Sequence, residues 1–259
     1  MKAIIVAAGR GRRLGQETES IPKCMVRVAG RPILHRQLEA LAAAGVDDVV
    51  IVRGYRGDRI APPAGGPPVR FVDNPAWAEN NILTSLFYAE AEMRDGFVFS
   101  YSDIVFAPDH ARRVVQSAGP VALIIDRRWR DAYEGRLQHP VSEAELARVE
   151  DRPGGPVVSR VGKRLVPEHE AAGEFSGLAR FTAEGAAALV DVWHAALAHG
   201  RTAPFGAAAT LNNAYLSDGL NAVADRGVAL RPVLVDGGWR EIDTEEDLAR
   251  AEASVASWT

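Results

Sequence analysis

The chain predicts an α/β fold, a mostly parallel sheet flanked by helices, on three observations. Short β-rich apolar runs alternate with amphipathic helical patterns through the first half, and the same alternation resumes in the last third. With 259 residues, 47% hydrophobic and 25% charged, the chain can bury a full core. The strands read as Lys2–Ala7, Asp48–Arg53, Val69–Val72, Phe97–Tyr101 and Val121–Asp126. Between them Pro32 opens a helix with Ile33, Leu34, Leu38 and Leu41 on one face, and Gly45 ends it. A second helix carries Ile82, Leu86, Ala89 and Met93. Residues 61–68, with four prolines and two glycines, form a loop.

From Arg127 to Pro167 the alternation lapses into Arg-rich, Glu-rich and Pro-Gly text with a hairpin around Arg152-Pro153-Gly154-Gly155. This stretch is expected to be an insertion lying over the sheet of one domain, 1–259. Afterwards Glu174–Phe181 reads as a strand, Glu184–His199 and Leu211–Ala224 as helices, and Val228–Val235 as a strand. A closing helix, Thr244–Ser254, is capped by Thr244 with Asp247 three residues on.

Net charge is −4, so bulk electrostatics favour no nucleic-acid partner, and whatever is bound is expected to be small. The one cysteine, Cys24, excludes a disulfide framework and a cysteine-based zinc site; it reads as a small core residue, with a reactive thiol beside Lys23 as the other option. The absence of an 18-residue apolar run and of a secretory leader gives the expectation of a cytoplasmic protein with no membrane partner. The sequence leaves room for a homodimer.

The first strand runs into Gly9-Arg10-Gly11-Arg12-Arg13-Leu14-Gly15, and Pro22-Lys23 follows. Glycines let backbone N–H groups approach an anion, and Arg13 and Lys23 supply charge against a triphosphate. Leu14 stands where a dinucleotide fingerprint needs glycine, and Gly15-Gln16-Glu17 where a P-loop needs Gly-Lys-Ser/Thr. A plain Gly/Arg surface turn is the remaining alternative. Two isolated acids stand at element ends: Asp103, just past an apolar strand, and Asp243, between a strand and the closing helix. Taken alone, Asp103 reads equally as a turn residue and Asp243 as a neighbour of the helix cap. Neither a His-Glu-x-x-His nor a nucleophile elbow is present: His169-Glu170 lacks its second histidine, and Ser176 is preceded by Phe175.

Ala7, Ala8, Gly9, Gly11, Arg13, Leu14, Pro22 and Lys23 together resemble the Ala-Ala-Gly-x-Gly-x-Arg-Leu…Pro-Lys pattern of nucleotidyltransferases that make NDP-sugars and CDP-alcohols. The resemblance implies a Rossmann-like mixed sheet with a small inserted lid, and divalent metal, Mg²⁺, on Asp103 and Asp243, the latter within an Ile-Asp-Thr-x-Glu-Asp-Leu closing motif. Hard oxygen ligands suit the charge that builds on phosphate. The run from Asn74-Pro75 through Asn80-Asn81-Ile82 to Ser85-Leu86 is similar to phosphocholine and phosphonate cytidylyltransferases. It implies Asn80, Asn81 and Ser85 at the nucleoside; the plain alternative is that Asn80 caps a helix. Ala7, Ala8, Gly9 and Gly11 would share in nucleotide binding. Trp129, Tyr133, Arg136, Lys163 and Glu174 fall in segments that resemble the same subfamily's acceptor side, and this chain has Glu143-Ala144-Glu145 where the subfamily reads Asp-Ala-Glu.

The expectation is therefore a Mg²⁺-dependent cytidylyltransferase taking CTP and a small phosphate or phosphonate monoester, with Arg13 and Lys23 catalytic. Trp129 and Tyr133, four residues apart, would share a face able to receive an ammonium; Arg127, Arg128, Arg130 and Arg136 would suit an anionic head instead. A hexose-1-phosphate uridylyl- or thymidylyltransferase and a silent nucleotide-sensing subunit are the alternatives. No hexapeptide repeat is visible, so a second, acyltransferase activity is not expected.

Overall fold

The structure, a computed structural model, describes residues 1–258. The first half contains β1 (Lys2–Ala7), β2 (Arg27–Val28), β3 (Arg31–Pro32), α1 (Ile33–Ala43), β4 (Asp48–Arg53), β5 (Val69–Asp73), α2 (Ile82–Phe87), β6 (Phe97–Tyr101), β7 (Ile104–Phe106), α3 (Pro108–Gln116) and β8 (Val121–Asp126). The second half adds α4 (Trp129–Tyr133), β9 (Glu145–Glu150), β10 (Val157–Lys163), β11 (Gly173–Phe181), α5 (Ala183–Leu197), α6 (Leu216–Asp225), β12 (Leu230–Val235), β13 (Trp239–Glu241) and α7 (Glu245–Val255).

A nine-stranded sheet runs β10-β9-β11-β6-β1-β4-β5, with β8 also beside β11 and β12 beside β8. Only β10 and β11 run against the other seven strands, so the sheet is mixed and mostly parallel. Both faces are covered, as the apolar runs require. Alternation along β1 sends Ile4 and Val6 into the core under α2, α5 and α6, and Ala3, Ile5 and Ala7 into the core under α1 and α3.

The strand expectations match to within two residues at their ends. Three stretches differ. The Ile82–Met93 pattern is not one helix: α2 stops at Phe87 and Glu90–Glu92 forms a single 3₁₀ turn, with Ala89 and Met93 still buried. The Leu211–Ala224 pattern also breaks, into a 3₁₀ turn at Leu211–Asn213 and α6, whose Asp218 accepts from the Tyr215 backbone N–H at 2.9 Å. The 127–167 segment does not simply lie over the sheet. Its β9–β10 hairpin is hydrogen-bonded into the sheet's edge through β11, which buries Ala147, Val158 and Val161 in the core under α5 and α6 and Leu146 on the opposite side. Helix α3 went unread because only His110, Ala111 and Val114 of its nine residues are buried.

Strand β11 changes partners along its length. Gly173 and Glu174 pair β9, whereas Leu178–Phe181 pairs β6, and the register with β8 shifts between Phe175 and Ala179. At the shift Gly177 has φ +85°, and a Cβ there would lie 2.3 Å from the Tyr101 ring, so only glycine fits. Cys24 is 1% exposed and burial pushes its thiol up to about 12, which makes it a core residue. No helix among the described residues is long and apolar enough to cross a membrane.

Candidate active site

The carboxyl ends of β1 and β6 open onto one crevice, where open α/β sheets bind ligands. Asp103 lies two residues past the end of β6. Asp243 is brought to it by a short antiparallel pair, β7 with β13, in which Ile104 lies opposite Glu241 and the Ile242 N–H donates to the Asp103 carbonyl at 2.9 Å. Asp126, buried at the end of β8, anchors the approach to β13 by accepting from the Gly237 N–H at 2.7 Å and the Trp239 indole at 2.9 Å.

Lys23 Nζ donates to Asp103 Oδ2 at 2.6 Å and to Asp243 Oδ1, and Arg13 Nη2 donates to Asp243 Oδ2 at 2.5 Å. Gly11, at φ +70°, lets the loop close on this lysine, since a Cβ there would meet Lys23 Cδ at 2.8 Å. Burial opposes the Lys23 charge, but Asp103, Asp243 and Glu241 outweigh it and hold the ammonium firmly protonated. Burial alone would raise the Asp243 carboxyl. Lys23, Arg13 and His139 reverse that and keep it well below the usual carboxylate range. Asp103 Oδ1 is buried without a partner. Two carboxylates already gathered round one cation, one with a free buried oxygen, are a donor set that fits a hard divalent metal.

Glu241 and His139 were not foreseen. His139, Glu241 and Asp243 present ligand-type atoms within 4.8 Å of one another. Burial, then the charges of Asp243 and Asp103, push the Glu241 carboxyl well above its ordinary value. The Glu241-Ile242-Asp243 spacing puts both acids on one side of an extended strand, a legible signal, whereas nothing in the sequence ties His139 to them.

Beside this centre lies a cavity of about 230 Å³ lined by Arg13, Asn81, Asp103, Asp243, Glu143, Glu145, Lys163, Glu174 and Glu241, with Tyr101, Phe175, Tyr215 and Trp239 among its aromatic walls. Lys163 Nζ donates to Glu143 Oε2 at 3.2 Å and sits 4.9 Å from the centre of the Tyr215 ring. Burial pushes Glu174 up to about 8, with Tyr133 and Arg136 opposing it, and also raises Glu145 against the pull of Lys163.

Other expected residues lie elsewhere. Ala7 and Ala8 are buried at the end of β1, where the Ala8 carbonyl accepts from the Tyr55 N–H at 2.9 Å, and with Gly9 and Gly11 they form the turn beside Arg13. Asn80 and Ser85 do not face the cavity: they close a ring with Asn74, whose Nδ2 donates to each at 2.9 Å. The helix cap is Asn81, not Asn80; its side chain accepts from the Ile82 N–H.

The expected aromatic face is absent from the cavity wall. Trp129 is 1% exposed and packs with Tyr133, Ala144, Leu146 and Val166 in a separate small core, because an indole inside a polar insertion is the apolar mass that can hold it down. Tyr133 acts one step back, donating its hydroxyl to Glu174 Oε1 at 2.6 Å. Arg136 likewise binds Asp247 and His139 and not the cavity. The arginines read as an anionic-head cluster are engaged apart from it: Arg127 with Asp236, Arg128 with Asp131, Arg130 with the Glu168 carbonyl.

The sequence over residues 3–192 matches the MobA-like NTP transferase domain. A CTP:phosphoglutamine cytidylyltransferase of Campylobacter jejuni is 26% identical over 96% of this chain and 98% of its own. A choline-phosphate cytidylyltransferase of Streptococcus pneumoniae is 35% identical over 41% of this chain and 46% of its own. Among solved structures, the inositol-1-phosphate CTP transferase of T. maritima superposes with a TM-score of 0.71 at 20% identity, covering 98% of this chain and 97% of that one.

Proposed function

The chain belongs to the MobA-like NTP transferase domain family and is a nucleotidyltransferase; from that premise we propose that it joins CMP from CTP to a small phosphate or phosphonate monoester with a cationic head, releasing pyrophosphate. The observation that carries this reading is the Lys23 ammonium held between Asp103 and Asp243 at the mouth of a carboxylate-rich cavity. Relatives named as cytidylyltransferases support the choice of CTP.

In this reading an acceptor oxygen attacks the α-phosphorus in line, and the bond to pyrophosphate breaks. Lys23 binds the α-phosphate and the incoming oxygen together, so its charge meets the negative charge where it grows. Arg13 holds the β- and γ-phosphates, and Lys163 the acceptor's phosphorus end. Asn81, already fixed as the α2 cap and donating to the Asn213 carbonyl at 3.1 Å, positions the nucleoside side of the cavity. Asp103 and Asp243, with Glu241 and His139 beside them, would hold divalent metal, proposed as Mg²⁺, which when bound supplies neutralisation of phosphate charge. No covalent nucleophile is required. Glu145 and Glu174 balance the cationic head, whose charge draws their carboxyls toward the ionised form.

Pyrophosphate release from each of four NTPs, offered with phosphocholine, 2-aminoethylphosphonate and glucose-1-phosphate, tests the reading. CTP with a cationic acceptor should exceed every other pair. Equal kcat/KM for CTP and UTP, with glucose-1-phosphate as the best acceptor, would replace it with a hexose-phosphate enzyme, and no release with any pair would leave a nucleotide-sensing subunit.

A further inference from the structure

Three side chains lining the cavity carry a buried polar atom with no hydrogen-bond partner: Asp103 Oδ1, Glu174 Oε2 and Ser176 Oγ. The first belongs to the metal-binding set. The other two stand alone on β11, two residues apart and so on one side of an extended strand, on residues 3% and 2% exposed. Glu145 on the adjoining wall contrasts with them, since Tyr101 donates to its Oε2 at 3.1 Å and Ser217 to its Oε1 at 3.0 Å. One cavity carboxylate is thus satisfied by the protein on both oxygens and the other on one.

We propose that Glu174 and Ser176 read the N–H groups of a primary ammonium, so that the acceptor is a primary amine and not a quaternary one; this deepens, and rests on, the transfer reading above. A buried polar atom left unpaired is costly, so native interiors rarely keep one without a reason. Burial alone favours the neutral Glu174 acid; a bound ammonium favours its carboxylate, whose free oxygen then only accepts, and the Ser176 hydroxyl on the same side of the strand can accept as well as donate. A primary ammonium has three donors to give. A trimethylammonium has none and would bury both atoms against methyl groups. Quaternary recognition rests on open aromatic faces, and of the cavity's aromatic walls Phe175 and Trp239 are 2% and 6% exposed, Tyr101 is tied to Glu145 and Tyr215 is engaged by Lys163, while Trp129 and Tyr133 are withdrawn into their own core. The second oxygen is aimed by the protein itself: Tyr133 holds Glu174 Oε1, which fixes the carboxylate and leaves Oε2 to the cavity.

The test is turnover of CTP by the unmodified protein with phosphoethanolamine, its N-methyl and N,N-dimethyl derivatives, and phosphocholine, repeated with the matching 2-aminoethylphosphonate series. Sites built to bind an N–H discriminate against its absence by factors of up to ~10⁴. The expected result is a stepwise fall in kcat/KM with each methyl, reaching about 100-fold at the quaternary end. A fall smaller than about tenfold, a flat series or a rise overturns the proposal. So does failure of every amine to react, and calorimetry of CTP binding with Mg²⁺ then separates the two readings: binding retained condemns the amine assignment alone, binding lost condemns cytidylyl transfer as well. In Ser176→Ala the primary amine should lose about tenfold in kcat/KM while phosphocholine does not, which a merely structural serine would not produce.

Discussion

Arg136 and Asp247 form a buried ion pair, Nε to Oδ1 at 2.6 Å, with side chains 6% and 1% exposed. The pair fastens the segment after β8 to the first turn of α7. The other oxygen of Asp247 accepts from the backbone N–H of Asp243 at 3.1 Å and of Thr244 at 3.0 Å, so the same carboxylate caps α7 and sets the backbone of the candidate metal ligand. Removing one partner of a buried pair costs about 3–5 kcal/mol. Arg136→Ala should therefore lower the melting temperature and reduce kcat, and Arg136→Ala/Asp247→Ala should cost less than the sum of the two single changes. Additive losses in a double-mutant cycle would show that the pair does not act as a unit.

Asp103→Asn and Asp243→Asn keep shape and would remove a charged ligand of the proposed metal. Turnover should fall at least ~100-fold in each. Asp103, with a side chain 25% exposed, should show little change in thermal unfolding, whereas Asp243→Asn leaves the buried Lys23 short of a counter-charge and should unfold earlier. Circular dichroism melts and pyrophosphate release measured on the same samples check both statements. Near-normal turnover in Asp103→Asn would end its assignment.

Tyr133→Phe removes one hydroxyl from a closed core. Glu174 Oε1 then loses its donor, at a stability cost of about 1–3 kcal/mol. KM for the acceptor should rise, with KM for CTP within a few-fold. If both constants rise together, Tyr133 is supporting the whole crevice and not Glu174.

Glu174 gives a pH signature. Burial raises its carboxyl from the usual 4.5 to about 8, so the folded chain binds this proton more tightly than the unfolded chain does. The stability it contributes is present at low pH and declines as pH rises from about 4.5 toward 8, by at most about 1.4 kcal/mol per unit. Urea melts of the wild type and Glu174→Gln across that window should show the wild type losing ground as pH rises. A difference that stays constant, or moves the other way, would place the folded-state value near normal.

Most of the sheet was legible because buried strands announce themselves as apolar runs, and β1, β4, β6 and β8 begin and end where Lys2, Asp48, Phe97 and Val121 said they would. The loop after β1 was legible for the same local reason, since glycine and arginine spacing lies within a few residues. Long-range placement was not. Nothing near Asp103 states that β7 pairs β13, yet that pairing puts it across Lys23 from Asp243. Trp129 and Tyr133 misled because sequence marks an aromatic as sticky without saying whether protein or ligand covers it. Asn80 and Ser85 were ambiguous in another way: amides and hydroxyls that suit a nucleoside suit one another equally, and here both bond Asn74.

The change of partners along β11 also orders the chain in time. When synthesis has passed Tyr101, β1, β4, β5 and β6 are complete, but β6 keeps an open edge until residues 178–181 emerge to pair it, and β8 keeps one until residues 230–235 do. Nascent chains halted between these points expose apolar edges that invite association with other chains. Asp243 emerges after the last strand of the large sheet, so no shortened chain lacking β13 can hold the carboxylate pair, and catalytic competence arrives only once assembly is nearly finished.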